Sequence, residues 1–181
     1  MDIIQGKDFK YDKTCVTIGK FDGIHIGHRR ILKTLVDLSK QCDYKSVVFT
    51  FDFEYFKSDE EKRLNTKEEK KRLLEELGID ILIDFPFDEE TKNMSPDEFI
   101  EDILVNRLDA KKVIIGENFR FGQGAQGDAE TLKKLGATYG FSVYPIPLVK
   151  YEGSMVSSTR IRDELSAGHI KEAYEMLNRR I

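Results

Sequence analysis

The chain has 181 residues, a formal charge of −4 and 34% charged residues, and these values exclude several classes of protein. The length suits one ordinary domain with a full core. The acidic balance gives no overall basic field, so we expect no nucleic-acid partner and expect any anionic ligand to be held by local groups. No apolar run approaches membrane-spanning length, and the N-terminal segment lacks the basic and apolar regions of a signal peptide.

The two cysteines, Cys15 and Cys42, have no metal-binding or redox spacing. We interpret them as reduced thiols, which predicts a cytoplasmic protein without a membrane partner.

Strands and helices alternate in the sequence pattern. Apolar and β-branched runs predict strands over 14–20, 46–51, 79–85, 111–116 and 141–149, the last interrupted by Pro145 and Pro147. Helical spacing predicts a helix from Gly27 with an apolar stripe of Ile31, Leu32, Leu35, Val36 and Leu38. Further helices are predicted from a capping box at Thr66 and Glu69 to a stop at Gly78, over 128–140, and over 158–178 in two pieces divided at Gly168.

One further helix has a complete set of start signals. Ser95 is placed as the cap, Pro96 in the first turn and Glu98 as the capping-box partner. Its predicted buried stripe comprises Phe99, Ile100, Ile103, Leu104 and Leu108. By contrast, residues 52–65 are charged and aromatic without periodicity, and we expect a long loop or flap there.

The alternation predicts an α/β fold with a doubly wound, Rossmann-like parallel sheet, in a single domain over 1–181. Ligands of such sheets bind beyond the carboxyl ends of the strands. That rule points to three loops with unusual chemistry: 19–28, 116–124 and 153–159.

The first of these loops contains two of the three histidines, His25 and His28. Gly23 can adopt positive φ, and Gly27 lets a ligand approach the backbone at a helix start. The free N–H groups of that helix and both imidazoles could bind one anion. A surface turn with two incidental histidines and a zinc site are the alternatives, but no nearby cysteine or acidic cluster completes a metal site. The spacing fits neither a P-loop nor the Rossmann glycine fingerprint.

The second and third loops carry aromatic and hydroxyl groups. Arg120 stands between Phe119 and Phe121 in a glycine-rich segment, where the rings could pack on a flat ligand or simply belong to the core. Ser157, Ser158 and Thr159 precede or begin a helix and are followed by Arg160 and Arg162. This arrangement fits a phosphate cradle and equally fits an N-cap with solvated arginines.

Three segments in this order resemble one known family. "GKFDGIHIGH" (19–28) is similar to the HxGH signature of nucleotidyltransferases, in the longer form found in the FMN adenylyltransferase module of bacterial riboflavin kinase/FAD synthetases. "GENFRFG" (116–122) and "SSTRIR" (157–162) resemble further motifs of that family, and the likeness extends to "NMSPDEFIEDILVNRL" (93–108). The resemblance therefore covers nearly the whole chain.

The resemblance implies an FAD-forming enzyme that uses ATP and FMN, with Mg²⁺ bound mainly through phosphate oxygens. It assigns His25, His28 and Arg162 to catalysis at the phosphates. The remaining nucleotide- and flavin-binding residues that it implies are Gly19, Phe21, Asp22, Gly23, Gly27, Asn118, Arg120, Phe121, Gly122, Ser157, Ser158, Thr159 and Arg160.

Two departures from the family accompany this likeness. The family usually has "FDPHP" after its second strand, where this chain has "FDFEYF" (51–56). The bifunctional enzymes continue into a riboflavin kinase domain, which we do not expect in these 181 residues. Another small-molecule nucleotidyltransferase and a non-catalytic flavin- or nucleotide-binding module are therefore the alternative functions.

Overall fold

The computed structural model describes residues 1–52 and 63–179, except for the side chain of Asp52. The flap expected over 52–65 therefore lies mostly outside the described residues. The strands are β1 (Asp2–Gln5), β2 (Thr14–Ile18), β3 (Lys45–Asp52), β4 (Ile81–Pro86), β5 (Ala110–Gly116), β6 (Arg120–Phe121), β7 (Gly127–Asp128), β8 (Ser142–Ile146), β9 (Lys150–Tyr151) and β10 (Ser154–Met155). The α-helices are α1 (Ile26–Cys42), α2 (Lys67–Glu76), α3 (Glu89–Asn93), α4 (Pro96–Glu98), α5 (Ala129–Tyr139), α6 (Ser158–Ser166) and α7 (Ile170–Leu177).

Six strands form one parallel sheet in the order β1-β4-β3-β2-β5-β8. From β2 the chain first adds β3 and β4 on one side, and later adds β5 and β8 on the other. The order therefore reverses between β2 and β5, which opens a crevice beyond their carboxyl ends. This topology confirms the predicted doubly wound α/β fold.

Both faces of the sheet are buried, as a parallel sheet with helical layers requires. Alternate residues of β3 show this, because Phe49 belongs to one core cluster and Val48 to the other. The Val48 face packs against α1 through Leu32 and Leu35, which are fully buried. Each such side chain contributes about 1.5–3 kcal/mol through burial.

Helix α1 follows the predicted pattern with small differences. Leu32, Leu35 and Val36 are buried, whereas Ile31 and Leu38 are half-buried and pack at the edge of the cluster. The helix begins after His25, so its N-terminus faces the crevice.

The helix predicted after Ser95 has its capping box, but its backbone differs from the prediction. Ser95 Oγ accepts from Glu98 N at 3.2 Å, and Glu98 Oε2 accepts from Ser95 N at 2.8 Å. Beyond α4 the chain continues as a π-helix over Phe99–Arg107, and Leu108 N donates to Ile103 O at 3.0 Å. The predicted stripe of Phe99, Ile100, Ile103, Leu104 and Leu108 is nevertheless buried.

Some elements were not predicted from the sequence, namely β1, α3, the paired strands β6 and β7, and the β9–β10 hairpin. Pro145, expected to interrupt a strand, lies within β8. A proline is tolerated there because β8 is an edge strand of the sheet. Within 1–52 and 63–179, no helix combines the length and apolar character needed to cross a membrane.

Candidate active site

The loops after β2, β5 and β8 meet the start of α6 around a cleft of about 420 Å³. Eleven of the residues expected in a binding site line it: Gly19, Phe21, Asp22, His25, Gly27, His28, Asn118, Ser157, Ser158, Thr159 and Arg162. The cleft also has an apolar wall of Ile146, Pro147, Leu148 and Val149, which sequence reasoning missed. The rule that ligands bind beyond strand ends, applied to β8, would have found that wall.

The two histidines of the cleft form a stacked pair at the start of α1. Their ring centroids lie 3.6 Å apart with an interplanar angle of 17°. His25 caps the helix, and its Nδ1 accepts a hydrogen bond from His28 N at 3.3 Å. A Cβ at Gly27 would lie 3.1 Å from His25 Cε1, so a glycine keeps the space that the ring occupies.

Burial keeps both imidazoles neutral near pH 7. It lowers the pKa of His25 to about 4, against an opposing effect of the Asp22 charge. Burial also lowers the pKa of His28 well below its usual value, and the charges of His25 and Lys70 lower it further. Because His25 Nδ1 accepts a hydrogen bond, its proton is on Nε2, which leaves an N–H available to a ligand.

His28 has an additional unused polar atom. Its Nδ1 is buried, and none of the described residues forms a hydrogen bond with it. A buried polar atom without a partner carries a free-energy cost, which a ligand that hydrogen bonds to it would relieve.

The loop between β2 and α1 has a strained backbone. Phe21 and Ile24 have φ values of 49° and 43°, which are unusual for residues with a Cβ. Both side chains are buried, and the Phe21 ring packs edge-on against His28 at a centroid distance of 5.2 Å. Packing therefore holds the strained turn in place, as is common at functional sites.

Asp22 connects three segments around the cleft. Its Oδ2 accepts from Arg162 Nη2 at 2.6 Å, and its Oδ1 accepts from Leu64 N at 3.0 Å. Its backbone carbonyl accepts from Ser158 Oγ at 2.9 Å. The first loop, the segment before α2 and the start of α6 are thus fixed to one another through a single residue.

The sequence allowed either a phosphate cradle or a helix N-cap at the start of α6. The structure has an N-cap there, and the same segment also lines the cleft. Ser157 is the N-cap, and its Oγ accepts from Arg160 N at 3.1 Å. Arg160 Nη1 donates to the carbonyls of Tyr151 and Ser154, at 3.0 and 2.9 Å, so its guanidinium is engaged by the β9–β10 hairpin. Arg162 lines the cleft, whereas Arg160 supports the hairpin beside it.

Gly23 also lies apart from the cleft lining. Its N–H donates to Asn65 Oδ1 at 2.5 Å, and a Cβ at this position would lie 2.9 Å from Leu64. The structure therefore places Gly23 where the first loop packs against the segment before α2.

A second, aromatic chamber of about 530 Å³ lies on the other side of the β2 carboxyl end. Phe119 and Phe121 stack there with centroids 5.6 Å apart and an interplanar angle of 9°. Three residues expected to shape a pocket line this chamber rather than the cleft: Arg120, Phe121 and Gly122. Its other aromatic walls, which were not predicted, are Phe51, Phe87 and Phe99.

The two cavities share part of their lining. Gly19, Lys20 and Phe119 belong to both, so the cleft and the aromatic chamber adjoin at the end of β2. A Cβ at Gly19 would lie 3.2 Å from the Phe21 ring, so the junction of the two cavities has little room for a side chain.

The described residues contain no group of three or more His, Cys, Asp or Glu side chains that could hold a metal ion. Among the described residues of the cleft lining, Asp22 is the one carboxylate, and its oxygens accept from Arg162 and Leu64.

Comparison with known proteins gives one consistent family. Residues 7–160 match the family model for FAD synthetase. An FAD synthetase of Listeria monocytogenes is 32% identical over 166 residues, covering 90% of this chain and 67% of that protein. A bifunctional riboflavin kinase/FMN adenylyltransferase of Escherichia coli K12 is 35% identical over 168 residues, covering 90% of this chain and 54% of that protein. The chain thus spans about half the length of the bifunctional relatives that it matches.

A solved structure described as a macrolide-efflux protein from Streptococcus pneumoniae has the same fold. It superposes with a TM-score of 0.81 at 25% identity, covering 98% of this chain and 71% of that chain.

Proposed function

Because this chain belongs to the FAD synthetase family, we propose that it transfers the adenylyl group of ATP to FMN, forming FAD and pyrophosphate. That membership confirms the family resemblance predicted from the three motifs. The observation that carries the proposal is the junction of two chemically different cavities at Gly19, Lys20 and Phe119. A reaction that joins a flavin to a nucleotide needs such a junction.

The aromatic chamber suits the flavin ring. Its phenylalanines offer flat apolar surface, and the stacked pair of Phe119 and Phe121 forms one wall. Lys20 and Lys92 at the chamber lining supply positive charge for the FMN phosphate.

The cleft suits ATP. Its apolar wall over 146–149 provides a surface for the adenine ring, whereas the opposite side carries His25, His28 and the N-terminus of α1. The helix N-terminus and the imidazole N–H groups then face the α-phosphate.

In the transfer, an oxygen of the FMN phosphate attacks the α-phosphorus in line. The new P–O bond forms as the bond to the β-phosphate oxygen breaks, and pyrophosphate leaves with that electron pair. The attacking phosphate is already ionised near pH 7, so the protein need not remove a proton. Catalysis then depends on positioning and on stabilising charge at the phosphorus oxygens.

His25 and His28 act in this scheme as neutral hydrogen-bond donors. Their lowered pKa values mean that the free protein holds no imidazolium at this position near pH 7. Two preorganised donors in a buried site stabilise developing negative charge more strongly than they would in water.

Arg162, Ser158 and Thr159 line the cleft at the start of α6, where they fit the β- and γ-phosphates. Arg162 is already oriented by Asp22 and is half-buried, so a triphosphate would meet a preorganised guanidinium. Mg²⁺ would arrive bound to ATP through phosphate oxygens and would neutralise part of their charge. The protein residues offer no carboxylate cage for it within the described chain.

Labelled ATP tests the proposed chemistry. With α-³²P-ATP, FMN and Mg²⁺, the label should move into FAD; with γ-³²P-ATP, it should appear in pyrophosphate. Label transfer to another acceptor, or from another nucleotide, would instead identify a different small-molecule nucleotidyltransferase. Binding of FMN and ATP without label transfer would identify a non-catalytic binding module.

A further inference from the structure

The apolar wall of the cleft continues past the end of the sheet. Ile146 is the last residue of β8, where it pairs with Gly116 of β5. Residues 147–149, which we name the wall segment, follow it along the cleft. Within the described chain, none of these three residues belongs to a hydrophobic core cluster or to the partly buried residues packed against one. Core packing therefore does not explain how the wall segment keeps its position.

Backbone hydrogen bonds hold the chain at the two ends of the wall segment. At one end, Glu117 N donates to Ile146 O at 3.0 Å. At the other end, Val156 N donates to Val149 O at 2.9 Å, next to the β9–β10 hairpin. These bonds fix where the wall segment begins and where it ends.

A side chain holds the middle of the wall segment. Pro147 has no N–H to donate, and Leu148 N donates to Glu117 Oε1 at 2.9 Å. Among the described residues, this is the one side-chain hydrogen bond to the wall segment. Glu117 thus binds this part of the chain twice, through its backbone N–H and through its carboxylate.

Glu117 itself lies outside the cleft. With Asn118 it occupies the central positions of a turn, which is closed by a 3.0 Å hydrogen bond from Phe119 N to Gly116 O. The other three residues of the turn line the cleft, whereas Glu117 is exposed and outside the lining. An effect of Glu117 on a nucleotide in the cleft must therefore act through the wall segment.

We propose that Glu117 is a positioning residue for ATP, which holds the wall segment where its apolar side chains contact the adenine ring. This inference rests on the proposed function, in which that wall binds adenine. Contact with a flat ring depends on exact placement, since a gap of about 0.5–1 Å forfeits about a quarter to a half of the dispersion attraction. The hydrogen bond to Leu148 is exposed, so water can replace the carboxylate as a partner. The carboxylate therefore contributes a fixed position of the segment.

Titration calorimetry with AMP, and with ATP and Mg²⁺, tests the proposal in the absence of FMN. Glu117→Ala removes the acceptor. Glu117→Gln removes the charge but keeps an acceptor oxygen at the same place, so it separates the hydrogen bond from electrostatic effects. Glu101→Ala is the control, because Glu101 is exposed in the π-helix and lies outside the linings of the cleft and the aromatic chamber.

We expect Glu117→Ala to weaken binding of AMP and of ATP by the same factor, about threefold to tenfold, because the wall segment contacts the base and not the phosphates. Glu117→Gln and Glu101→Ala should bind both nucleotides as the wild type does. FMN affinity should be equal in all four proteins, since Glu117 also lies outside the lining of the aromatic chamber. In the transfer reaction, Glu117→Ala should raise KM for ATP by the same factor and leave kcat nearly unchanged, as expected when ground state and transition state lose equal binding.

Four results would overturn the positioning role. They are an unchanged nucleotide affinity in Glu117→Ala, an equal loss in Glu117→Gln, an equal loss of FMN affinity, and a wild type that binds neither nucleotide. The second would assign the effect to charge, and the third to a general change in the fold.

The proposed function can fail separately from this inference. If labelled ATP yields no FAD but AMP affinity falls in Glu117→Ala alone, the wall segment serves a nucleotide site in a protein with another activity. If FAD forms and KM for ATP is the same in Glu117→Ala as in the wild type, the transfer reaction stands and the role of Glu117 is wrong.

Discussion

The imidazoles of His25 and His28 stack at 3.6 Å, although two charged rings at that distance would repel each other. Burial removes the conflict, because it favours the neutral form of both rings. The helix start, the glycine between the histidines and the stack form one unit that presents neutral N–H donors to the cleft. We therefore expect this unit to act by hydrogen bonding rather than by proton transfer.

Replacing His28 with alanine should lower the turnover number for FAD formation by about a hundredfold, as expected for one lost donor to a developing oxyanion. FMN should bind as before, since His28 lines the cleft and not the aromatic chamber. Steady-state kinetics and FMN titration measure the two effects. His169→Gln provides the control, because His169 is exposed and pairs with Glu164. Equal turnover in the His28 variant and the wild type would remove His28 from the mechanism.

The histidine pair should also make stability depend on pH. Its lowered pKa values mean that the unfolded chain binds more protons than the folded one between about pH 4 and 6.5. The contribution of the pair to the free energy of unfolding is therefore fully present above pH 6.5, and it decreases as the pH falls through this window. We expect Tm to fall by about 5 °C from pH 7 to pH 5.

His25→Asn tests the origin of that pH dependence. Asparagine can accept the helix-capping hydrogen bond but does not titrate. The variant should show a smaller decrease in Tm over the same range, measured by differential scanning calorimetry. If Tm decreased with pH as steeply in the variant as in the wild type, groups other than His25 would be the cause of the pH dependence.

Arg162 and Arg160 should differ in their effect on ATP. Arg162→Ala should raise KM for ATP about tenfold or more, because it removes a charged donor at the triphosphate position. Arg160→Ala should lower Tm while leaving KM nearly unchanged, because Arg160 binds carbonyls of the β9–β10 hairpin. A larger rise in KM for the Arg160 variant would reverse these assignments.

The aromatic chamber should determine flavin affinity. Phe119→Leu keeps an apolar side chain but removes the flat ring, and should weaken FMN binding about threefold to tenfold. FMN fluorescence quenching on binding measures this. Leu132→Ala is a comparison in the buried core: it should lower Tm with little change in the affinity of the folded protein. Undiminished FMN affinity in Phe119→Leu would place the flavin elsewhere.

Two glycines of the loop after β5 allow a matched test of the chamber wall. Gly122 has φ of 71°, and a Cβ there would lie 2.8 Å from Pro96, whereas Gly124 has φ of 61° and its nearest atom would be at 3.9 Å. Gly124→Ala should cost about 1 kcal/mol through backbone strain alone. Gly122→Ala should cost about 1–3 kcal/mol more, because its ψ of 177° lies in a region that is essentially confined to glycine and because its Cβ would overlap Pro96. Chemical denaturation measures both free energies of unfolding, and equal costs would contradict this difference in strain and packing.

Much of the fold follows from local signals in the sequence. Buried parallel strands are short apolar runs, and the caps at Thr66 and Ser95 mark helix starts. The π-helix after α4 could not be predicted, because its stripe of Phe99, Ile103 and Leu104 also fits an α-helix. Short elements such as β1 and the β9–β10 hairpin depend on partners that are distant in sequence or on two residues per strand.

The site was predictable where a motif and a strand end coincide. The histidine loop, Asn118 and the start of α6 do meet in the cleft. The different positions of Arg160 and Arg162 could not be predicted, because both arginines fit a phosphate cradle at the level of sequence. The role of Asp22 in joining three segments depends on tertiary contacts with no local signal.

The most direct test of the account is conversion of FMN to FAD by the purified chain. FMN, ATP and Mg²⁺ are mixed with the protein, flavin fluorescence is followed, and the products are separated by chromatography. Free FAD is dimmer than FMN because its adenine stacks on the flavin. The account predicts falling fluorescence and a new FAD peak matched by an equal amount of pyrophosphate, with both greatly slowed by His28→Ala. Constant fluorescence and no FAD, from protein that binds both substrates, would contradict it.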